Sequence, residues 1–433
     1  MNISIFGLGY VGCISLGCLA ENGHQVTGVD INEHKVNLIK HGKPTVIEKD
    51  IDTIIKHNHE KGRINATMNS KEAVKDSDAA IICVGTPNDK TGKLGLQYVQ
   101  KVAEEIGQGL KEKDTFYTIL IRSTVPPGTN KMVAEAIEKK TGKENCKDFA
   151  VVSNPEFLRE GAAVKDYYKP PYTVIGSDCP KGIEIAKEIY AKIEAPFEIM
   201  DIKGAELLKY VNNSFHALKI TFANEVGNIA KRLGIDSHQL MDVFAKDDKL
   251  NISKAYLKPG FAYGGSCLPK DLKALNAFSH EFYLNTPVLN AVDKSNQEQI
   301  RQAIQMIEQS GKKKLGFVGI SFKEGTDDLR FSPTLEVVEY FIGKGYDVKI
   351  FDSNVHLSKL TGTNKEYLET KLPHISELLT DNLENMQQEV DVLAIANRED
   401  ALKKINIDQD KVIIDLVRIN ELESFKNYKG IAW

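Results

Sequence analysis

Residues 2–30 constrain the fold of this chain more than any other stretch of similar length. The β-rich run NISIF is followed by the turn GLGYVG, an apolar helical pattern and a second strand, QVTGVD. The turn carries Gly7, Gly9 and Gly12 in the spacing G-x-G-x-x-G, and Asp30 lies 18 residues beyond Gly12. A strand, a glycine turn, a helix and a second strand in this order predict the start of a doubly wound α/β sheet.

The three glycines and Asp30 each suit one physical task in a dinucleotide site. Gly7 permits the tight turn, Gly9 lets the backbone approach a pyrophosphate, and Gly12 lets the helix pack closely on the strand. The helix N-terminus would offer unpaired N–H groups to the phosphates. Asp30 would accept a hydrogen bond from a ribose 2′-hydroxyl and repel a 2′-phosphate, which favours NAD over NADP. The alternative is a glycine-rich turn without a ligand, which the acidic partner disfavours.

Length and composition exclude several classes of protein. A chain of 433 residues is long enough for two or three domains, each with its own core. Its net charge of −4, without basic runs that contain aromatics, argues against nucleic acid as a partner. Six scattered cysteines without a CxxC pair, and ten histidines without an HExxH spacing, argue against disulfides and metal ions and favour the reducing cytoplasm. No apolar stretch approaches the ~18 residues of a membrane span, so no membrane association is expected.

Further β-rich runs follow the first two strands, and helical patterns separate most of them. These runs are AAIICVGTP (79–87), FYTILIRSTVPPGT (116–129), FAVVSNPEFL (149–158) and YTVIG (172–176). The alternation predicts a mostly parallel sheet with helices on both faces. Several runs end in polar residues, namely Thr86, Ser123, Thr124, Asn154 and Glu156. Because ligands bind at the carboxyl ends of strands in such sheets, these residues should face one crevice.

A helical pattern of about 30 residues without proline begins near residue 200, longer than an ordinary domain element. Its apolar seam has helical spacing: Leu208, Val211, Phe215, Leu218 and Phe222. Such a helix is expected to connect domains and to pack against a partner subunit, which predicts a homodimer or a higher homo-oligomer. A second stripe carries polar side chains: Glu206, Lys209, Asn213 and His216. Spacing alone leaves two interpretations of this stripe open, a solvated face and one wall of a site.

An internal repeat predicts a second nucleotide fold near the end of the chain. The stretches GHQVTGVDIN (23–32) and GYDVKIFDSN (345–354) share Gly, Val, Asp and Asn, and the strand and turn before each also match. Ser321 and Glu324 stand in the second copy where the first has Gly9 and Gly12. The second copy is therefore expected to bind a different nucleotide-containing ligand. The predicted domains are 1–200, a nucleotide fold; 201–298, a central helical dimerisation region; and 299–433, a second nucleotide fold.

The stretch YGGSCLPKD, residues 263–271, raises the question of a reactive cysteine. Pro269 suits the first position of a helix, which would place Cys267 just before the helix N-terminus and beside Lys270. Both the helix end and the lysine favour a thiolate, which is the nucleophilic form. The alternative is a structural cysteine, although such a residue more often lies within an apolar strand or helix. A thiol beside an NAD site suggests aldehyde oxidation through a thioester.

The whole sequence resembles the UDP-glucose/GDP-mannose dehydrogenase family. The motifs FGLGYVG, GVD, VGTP, RSTVPPGT, NPEFLREG, GGSCLPKD and FKEGTDDLR occur in that family's order over nearly the entire chain. The resemblance implies NAD-dependent oxidation of a sugar C6 alcohol to a carboxylate in two steps, without release of the aldehyde. Three segments resemble the branch that converts GDP-mannose to GDP-mannuronate for polysaccharides such as alginate: FHALKITFANEVGNIAKRLGID, KLNIS…PGFAYGGSC and NKEYLETKLPHISELL. The alternative substrate is UDP-glucose or a UDP-amino sugar, oxidised by the same mechanism.

The resemblance also implies catalytic roles for the matching residues. Cys267 would be the nucleophile, and Lys209 with Asn213 would stabilise the oxyanion at C6. Thr124 and Asp271 would hold a water molecule, and Glu156 would be the general base of thioester hydrolysis. The first proton acceptor stays open between Lys209 and a water held by Asp271. Two alternatives from other classes are a non-catalytic nucleotide-sugar sensor and a one-step hydroxyacid dehydrogenase, which would need no thiol.

Binding residues follow from the same resemblance. The expected NAD contacts are Gly7, Gly9, Tyr10, Val11, Gly12, Asp30, Lys35, Thr86, Thr124, Lys270 and Arg330. The expected substrate contacts are Glu160, Lys209, Asn213, His216, Asn224, Tyr256, Lys258, Phe261, Gly264 and Lys323. Without the resemblance, Lys323 and Arg330 would pass as ordinary surface charges. The chain departs from the GDP-mannose branch, which has paired tyrosines and then an arginine where this sequence has Ala255, Tyr256 and Lys258.

Overall fold

A computed structural model describes most of the chain: residues 1–87, 94–253, 256–257, 259–265, 267–322, 329–355, 375–403 and 405–433. The described residues form two compact units, Met1–His216 and Ala217–Trp433. Four residues singled out above lie outside the described residues: Ala255, Lys258, Lys323 and Glu324. None of the described helices is both long and apolar enough to cross a membrane.

The first unit is built on an eight-stranded sheet of described strands in the order β3-β2-β1-β4-β5-β6-β7-β8. The strands are β1 (Asn2–Phe6), β2 (Gln25–Val29), β3 (Ile64–Thr67), β4 (Ala79–Ile82), β5 (Tyr117–Ile121), β6 (Phe149–Ser153), β7 (Thr173–Gly176) and β8 (Phe197–Met200). Neighbouring strands are parallel except β6 and β7, which pair antiparallel at Ser153 and Gly176. The prediction of a mostly parallel sheet is confirmed.

Helices cover both faces of this sheet, and the strands β4, β5 and β6 are accordingly buried along their whole length. The helices are α1 (Tyr10–Glu21), α2 (Glu33–Lys40), α3 (Ile51–Glu60), α4 (Ser70–Lys75), α5 (Gln97–Leu110), α6 (Thr129–Thr141), α7 (Ala163–Tyr168) and α8 (Pro180–Ile189). Successive residues of β4 enter opposite cores: Ile81 packs with the layer that contains α1, and Ile82 packs with the layer that contains α5. Alternation of this kind is what a doubly wound fold requires.

The long helix predicted near residue 200 is present as α9 (Ile202–Arg232), 31 residues in length. Helix α10 (Ser237–Phe244) follows it and has no buried residue. Three residues of the apolar seam on α9 are exposed: Val211 by 53%, Phe215 by 39% and Leu218 by 48%. The seam therefore does not serve as the core of this chain.

The second unit contains a smaller parallel sheet in the order β10-β9-β11-β12-β13. Its strands are β9 (Lys314–Val318), β10 (Asp347–Phe351), β11 (Val392–Ile395), β12 (Val412–Asp415) and β13 (Tyr428–Gly430). The other helices among its described residues are α11 (Leu268–Glu281), α12 (Pro287–Glu308), α13 (Pro333–Gly343), α14 (Ile375–Leu378) and α15 (Leu383–Glu389), with short 3₁₀ turns at Asp400–Lys403 and Asn420–Leu422. The predicted second α/β nucleotide fold is confirmed.

Candidate active site

The glycine turn after β1 has the geometry that its sequence predicts. Gly7 has φ +98°, and a Cβ atom there would lie 2.9 Å from the carbonyl oxygen of Cys83. A Cβ atom on Gly12 would lie 1.8 Å from the carbonyl oxygen of Gly7, so only glycine allows helix and strand to approach this closely. A Cβ atom on Gly9 would meet nothing within 4 Å. The open space at Gly9 leaves the N-terminus of α1 accessible to a phosphate group.

Asp30 closes the turn from the end of β2. Its Oδ2 accepts a hydrogen bond from Leu8 N at 2.7 Å, and its Oδ1 accepts one from Asn32 N at 2.8 Å. Lys35 Nζ lies 3.7 Å from Oδ2. Because a carboxylate can accept about four hydrogen bonds, Asp30 retains capacity for a ribose hydroxyl.

A cleft of about 550 Å³ begins at this turn and continues between the carboxyl ends of β1, β2 and β4. Gly7, Gly9, Asp30 and Lys35 line it, together with apolar side chains such as Val29. This volume and mixed lining suit an extended nucleotide cofactor. Thr86, also expected to contact the cofactor, donates its hydroxyl to Thr124 O at 2.8 Å. The loops after β4 and β5 are thereby joined, as their polar residues predict.

The Tyr10 side chain, at the first position of α1, turns toward a neighbouring loop. Its hydroxyl donates to the Glu48 carboxylate, and Gly161 N donates to Glu48 Oε2 at 2.7 Å. Burial, reinforced by Glu48, raises the pKa of Tyr10 to about 12, so Tyr10 keeps its proton. Val11 is partly buried, and Glu160, the substrate residue predicted beside Gly161, is exposed.

A buried ion pair lies beyond the end of β6. Lys209 Nζ, on α9, is 2.9 Å from Oε1 of Glu156, and both side chains are about nine-tenths buried. Glu156 Oε2 also accepts a hydrogen bond from Leu158 N at 2.6 Å. The Lys209 ammonium lies 5.6 Å from the centre of the Phe157 ring. Two of the predicted catalytic residues, 53 positions apart in the sequence, are therefore in direct contact.

The polar stripe on α9 divides between the two interpretations that its spacing left open. Asn213 and His216 are exposed, as on a solvated face. Lys209 and Glu206 are buried, so a fully solvated stripe is wrong. Glu206 accepts hydrogen bonds from Gly128 N at 2.6 Å and Asn130 N at 2.7 Å, at the N-terminus of α6. Burial raises the pKa of Glu206, against the opposing effect of these N–H donors.

In the second unit, Cys267 lies at the N-terminus of α11, where its carbonyl accepts the first helical hydrogen bond from Asp271 N at 2.9 Å. The helix begins at Leu268, so Pro269 occupies its second position and not its first. The Cys267 side chain is exposed to solvent. Lys270 Nζ lies 2.6 Å from Asp271 Oδ1, and this contact raises the pKa of Lys270. Lys270 and Asp271, two predicted site residues next to the thiol, are therefore paired with each other.

A pocket of about 360 Å³ lies at the carboxyl ends of β9, β11 and β12, in the second unit. Phe261, a predicted substrate contact, lines it beside Ser321 and Asn397. The loop that carries Phe261 is held by α12, since Gln299 Nε2 donates to Gly260 O at 2.6 Å. The position resembles the crevice where open α/β sheets bind their ligands.

The other predicted substrate and cofactor residues of this unit lie around that loop and on α9. A Cβ atom on Gly264 would stand 2.3 Å from Phe331 O, so glycine is required there. Arg330 is partly buried, and Tyr256 is 84% exposed. Asn224 lies in a separate groove between α9 and α10.

Comparison with known proteins matches three successive segments of the chain. Residues 1–194 match the NAD binding domain of the UDP-glucose/GDP-mannose dehydrogenase family, residues 203–298 its central domain, and residues 316–421 its UDP binding domain. This chain belongs to the UDP-glucose/GDP-mannose dehydrogenase family. It is an NAD-dependent nucleotide-sugar dehydrogenase, and its first α/β domain is the NAD-binding domain of that family.

Two relatives and one solved structure of this dehydrogenase family indicate how the similarity is distributed. GDP-mannose 6-dehydrogenase of Pseudomonas aeruginosa is 44% identical over 100% of both chains. A ternary complex of GDP-mannose dehydrogenase from the same organism has a TM-score of 0.96 to this structure, over 100% of both chains at 44% identity. UDP-glucose 6-dehydrogenase of Bacillus subtilis is 33% identical over 84% of this chain and 79% of its own.

The sequence did not predict the contacts of two buried charged residues, Arg122 and Glu206. Arg122, which follows β5, was not singled out at all, although a charge at the end of a strand of five buried residues is unusual. Glu206 was placed in the polar stripe without its role at the N-terminus of α6. Neither contact has a signal in the local sequence, because the partners are 32 or more residues away.

Proposed function

We propose that this chain is a GDP-mannose 6-dehydrogenase that produces GDP-mannuronate with reduction of two NAD. The buried pair of Lys209 and Glu156, beyond the strands of the NAD-binding sheet, is the observation that carries the catalytic proposal. The substrate proposal is supported by similarity, since the GDP-mannose enzyme matches the full chain and the UDP-glucose enzyme matches 84% of it. Bound NAD⁺ supplies the hydride acceptor for both oxidations.

The first oxidation removes a proton from the C6 hydroxyl and a hydride from C6. Lys209 and Asn213 hold the C6 oxygen, where a positive charge and an amide N–H stabilise the negative charge that develops. The hydroxyl proton passes either to a neutral Lys209 amine, which thereby becomes the ammonium that holds the oxygen, or to a water held by Asp271. Burial of the Lys209 ammonium strengthens this interaction, since an exposed charge would be screened by water.

The second oxidation uses Cys267. Its thiolate forms a C–S bond with the aldehyde carbon, and Lys209 stabilises the resulting oxyanion. Loss of hydride from that carbon converts the thiohemiacetal to a thioester. Cys267 lies at the N-terminus of α11 with its side chain exposed, so the sulfur is accessible for this addition.

Hydrolysis of the thioester completes the reaction. Glu156 takes a proton from a water molecule that Thr124 and Asp271 position, and the water oxygen bonds to the acyl carbon. The C–S bond breaks and Cys267 is regenerated as a thiolate, and the acid product loses its remaining proton to solvent and leaves as the carboxylate. The hydrogen bond from Leu158 N to Glu156 Oε2 orients the carboxylate for this role.

Exposed apolar side chains support a homodimer. Val211, Phe215 and Leu218 on α9 are each at least 39% exposed, and Val243 on α10 is 61% exposed. Apolar surface gathered on neighbouring helices is typical of an interface between subunits. Light scattering is expected to give at least twice the mass of 48.2 kDa, and Phe215→Glu with Leu218→Glu should yield monomers. A wild-type protein that is monomeric at micromolar concentration would contradict this assembly.

The three-domain division at 200 and 298 is part of the same proposal, supported by the family matches that end at 194 and 298. A location in the cytoplasm stays a prediction from the scattered cysteines. The UDP-sugar alternative is favoured by one observation, the change at Ala255, Tyr256 and Lys258 from the pattern of the GDP-mannose branch.

The test is to incubate the purified protein with NAD and, separately, GDP-mannose, UDP-glucose and a UDP-amino sugar. We expect two NADH per sugar oxidised, and with GDP-mannose only. NADH formation with UDP-sugars alone would refute the GDP-mannose proposal, and binding without turnover would indicate a sensor. Cys267→Ser should bind the nucleotide sugar and produce no acid, whereas a fully active variant would exclude a thioester.

A further inference from the structure

Arg122 occupies the first position after β5 and is only 7% exposed. One of its terminal nitrogens, Nη1, donates to Asn154 Oδ1 and to the Tyr190 hydroxyl, each at 3.1 Å. Tyr190 in turn donates to the same Asn154 oxygen at 2.6 Å. Arg122 is therefore anchored to the first residue of the loop that carries Glu156.

Asn154 is held on every side. Its backbone N–H donates to Ile121 O at 2.8 Å, and its amide nitrogen donates to Val174 O at 3.0 Å. With the oxygen taken by Arg122 and Tyr190, the whole amide is fixed between β5 and β7. Glu156 follows Asn154 by two residues, with Pro155 between them, so fixing Asn154 restricts the position of the Glu156 carboxylate.

The charge of Arg122 has no described carboxylate hydrogen-bonded to it. Its described partners Asn154 and Tyr190 are neutral, and its Nε has no hydrogen-bond partner among the described residues. Burial lowers the pKa of Arg122, but Tyr190, Tyr167, Cys83 and Glu156 together raise it above its usual range.

Among those four neighbours, Glu156 is the one carboxylate. Burial raises the pKa of Tyr190, raises that of Tyr167 well above its usual range, and raises that of Cys83 to about 12, so all three stay protonated. Burying a cation without a carboxylate hydrogen-bonded to it costs folding free energy, so a buried arginine of this kind is a candidate for a functional role.

We propose that Arg122 is a positioning residue for Glu156. It fixes the loop through Asn154 and Tyr190, and it gives Glu156 a second cation besides Lys209. The second cation matters because Lys209 must also stabilise the oxyanion at C6. Arg122 thus keeps Glu156 placed for proton removal from water while Lys209 interacts with the sugar. The inference rests on the proposed role of Glu156 in thioester hydrolysis.

The experiment measures the acyl-enzyme directly. Arg122→Met, Arg122→Lys, Tyr190→Phe and Glu156→Gln are mixed with NAD and GDP-mannose, followed by stopped-flow NADH absorbance and intact-protein mass spectrometry. Arg159→Met is the matched control, since Arg159 is an exposed arginine of the same loop that pairs with Asp166 at 2.7 Å. NAD affinity and circular dichroism check that each variant is folded.

We expect Arg122→Met to complete the two hydride transfers and then stall, with a rapid burst of NADH and an acyl adduct on Cys267. Steady-state turnover should fall by about 10-fold to 100-fold, less than the loss in Glu156→Gln, because a general base contributes roughly 10²–10⁴-fold. Arg122→Lys keeps the charge but not the geometry, so it should accumulate less adduct than Arg122→Met. Tyr190→Phe should slow turnover by a few fold, and Arg159→Met should show no adduct.

A general structural role would lower the burst and the steady state together, without an adduct. That result in Arg122→Met would overturn the inference, provided that Glu156→Gln accumulates adduct. If Arg122→Met does not fold, the absence of adduct in Arg122→Lys overturns it instead. If Glu156→Gln also shows no adduct, the proposed hydrolytic role of Glu156 is wrong and the inference falls with it.

Discussion

The two nucleotide folds of this chain share a turn and differ in what the turn leaves open. Gly7 N donates to Val29 O at 2.8 Å, and Gly319 N donates to Phe351 O at 2.7 Å at the equivalent place. Asp30 accepts from Leu8 N and Asn32 N, and Asp352 accepts from Ile320 N, Ser321 N and Asn354 N. The aspartate in this position therefore braces the turn in both folds.

The difference lies at the second glycine of the fingerprint. Gly9 has open space around its missing side chain, whereas Ser321 is 3% exposed and its hydroxyl accepts from Asn397 Nδ2 at 2.9 Å. The position that is open in the first turn is therefore filled in the second turn by a buried serine side chain. The aspartate therefore stabilises the turn in both folds, whereas the open space at the second glycine position is found in the first fold and suits a ligand there.

Gly12→Ala is expected to have the largest effect. The added methyl group would collide with backbone, 1.8 Å from Gly7 O, so neither partner can rotate away. We expect a loss of about 3 kcal/mol or more in the free energy of unfolding, and no measurable NAD binding. Urea denaturation and NAD titration measure the two effects. A variant as stable as the wild type would show that the first turn does not require close helix packing.

Gly9→Ser copies the second fold into the first. The backbone at Gly9 has φ −78°, which any residue adopts, and there is room for a side chain, so stability should change by less than about 1 kcal/mol. The hydroxymethyl group would obstruct the cofactor phosphates, and we expect the Kd for NAD to rise about 100-fold, or about 2.7 kcal/mol. Calorimetric titration with NAD would show it. Unchanged affinity would place the phosphates elsewhere.

Asp30→Asn and Asp352→Asn form a matched pair. Asp30→Asn removes the charge that repels a 2′-phosphate, so the preference for NAD over NADP, measured as the ratio of kcat/KM values, should fall about tenfold. Asp352→Asn should leave that ratio unchanged and lower stability by about 1–3 kcal/mol, because it weakens buried charge-assisted hydrogen bonds. A change of cofactor preference in Asp352→Asn would contradict the assignment of NAD to the first fold.

Ser321→Gly is expected to have the smallest effect. It restores a glycine at the second position of the turn and removes the hydrogen bond from Asn397. We expect a loss of about 1 kcal/mol in stability and no second NAD equivalent in a binding titration. A second bound NAD would show that Ser321 alone separates the two folds.

Prediction from sequence worked best where conformation is local. The strand at residues 2–6 was predicted at its observed bounds, and the helical pattern predicted over residues 13–23 overlaps most of α1 (Tyr10–Glu21), because glycine spacing and apolar runs act through near neighbours. Strands β3 and β8 were missed, since each has only four residues, and two alternating apolar residues are a weak signal. Strands β4, β5 and β6 end earlier than the β-rich runs from which they were predicted. The polar residues at the end of each run lie in loops that do not pair with the neighbouring strands.

The site divides in the same way. The sequence determined the open turn at Gly9, the acidic residue Asp30 at the end of the second strand and the placement of Cys267 beside a helix N-terminus. These features depend on steric effects and helix ends, which are set by adjacent residues. Only the tertiary structure decided that Lys209 meets Glu156, that Glu206 meets the N-terminus of α6, and that Arg122 meets Asn154 and Tyr190. These contacts join residues that lie 32 to 78 positions apart in the sequence. The partners of a buried charge are set by how the elements pack, and the periodicity of a single helix or strand does not indicate them.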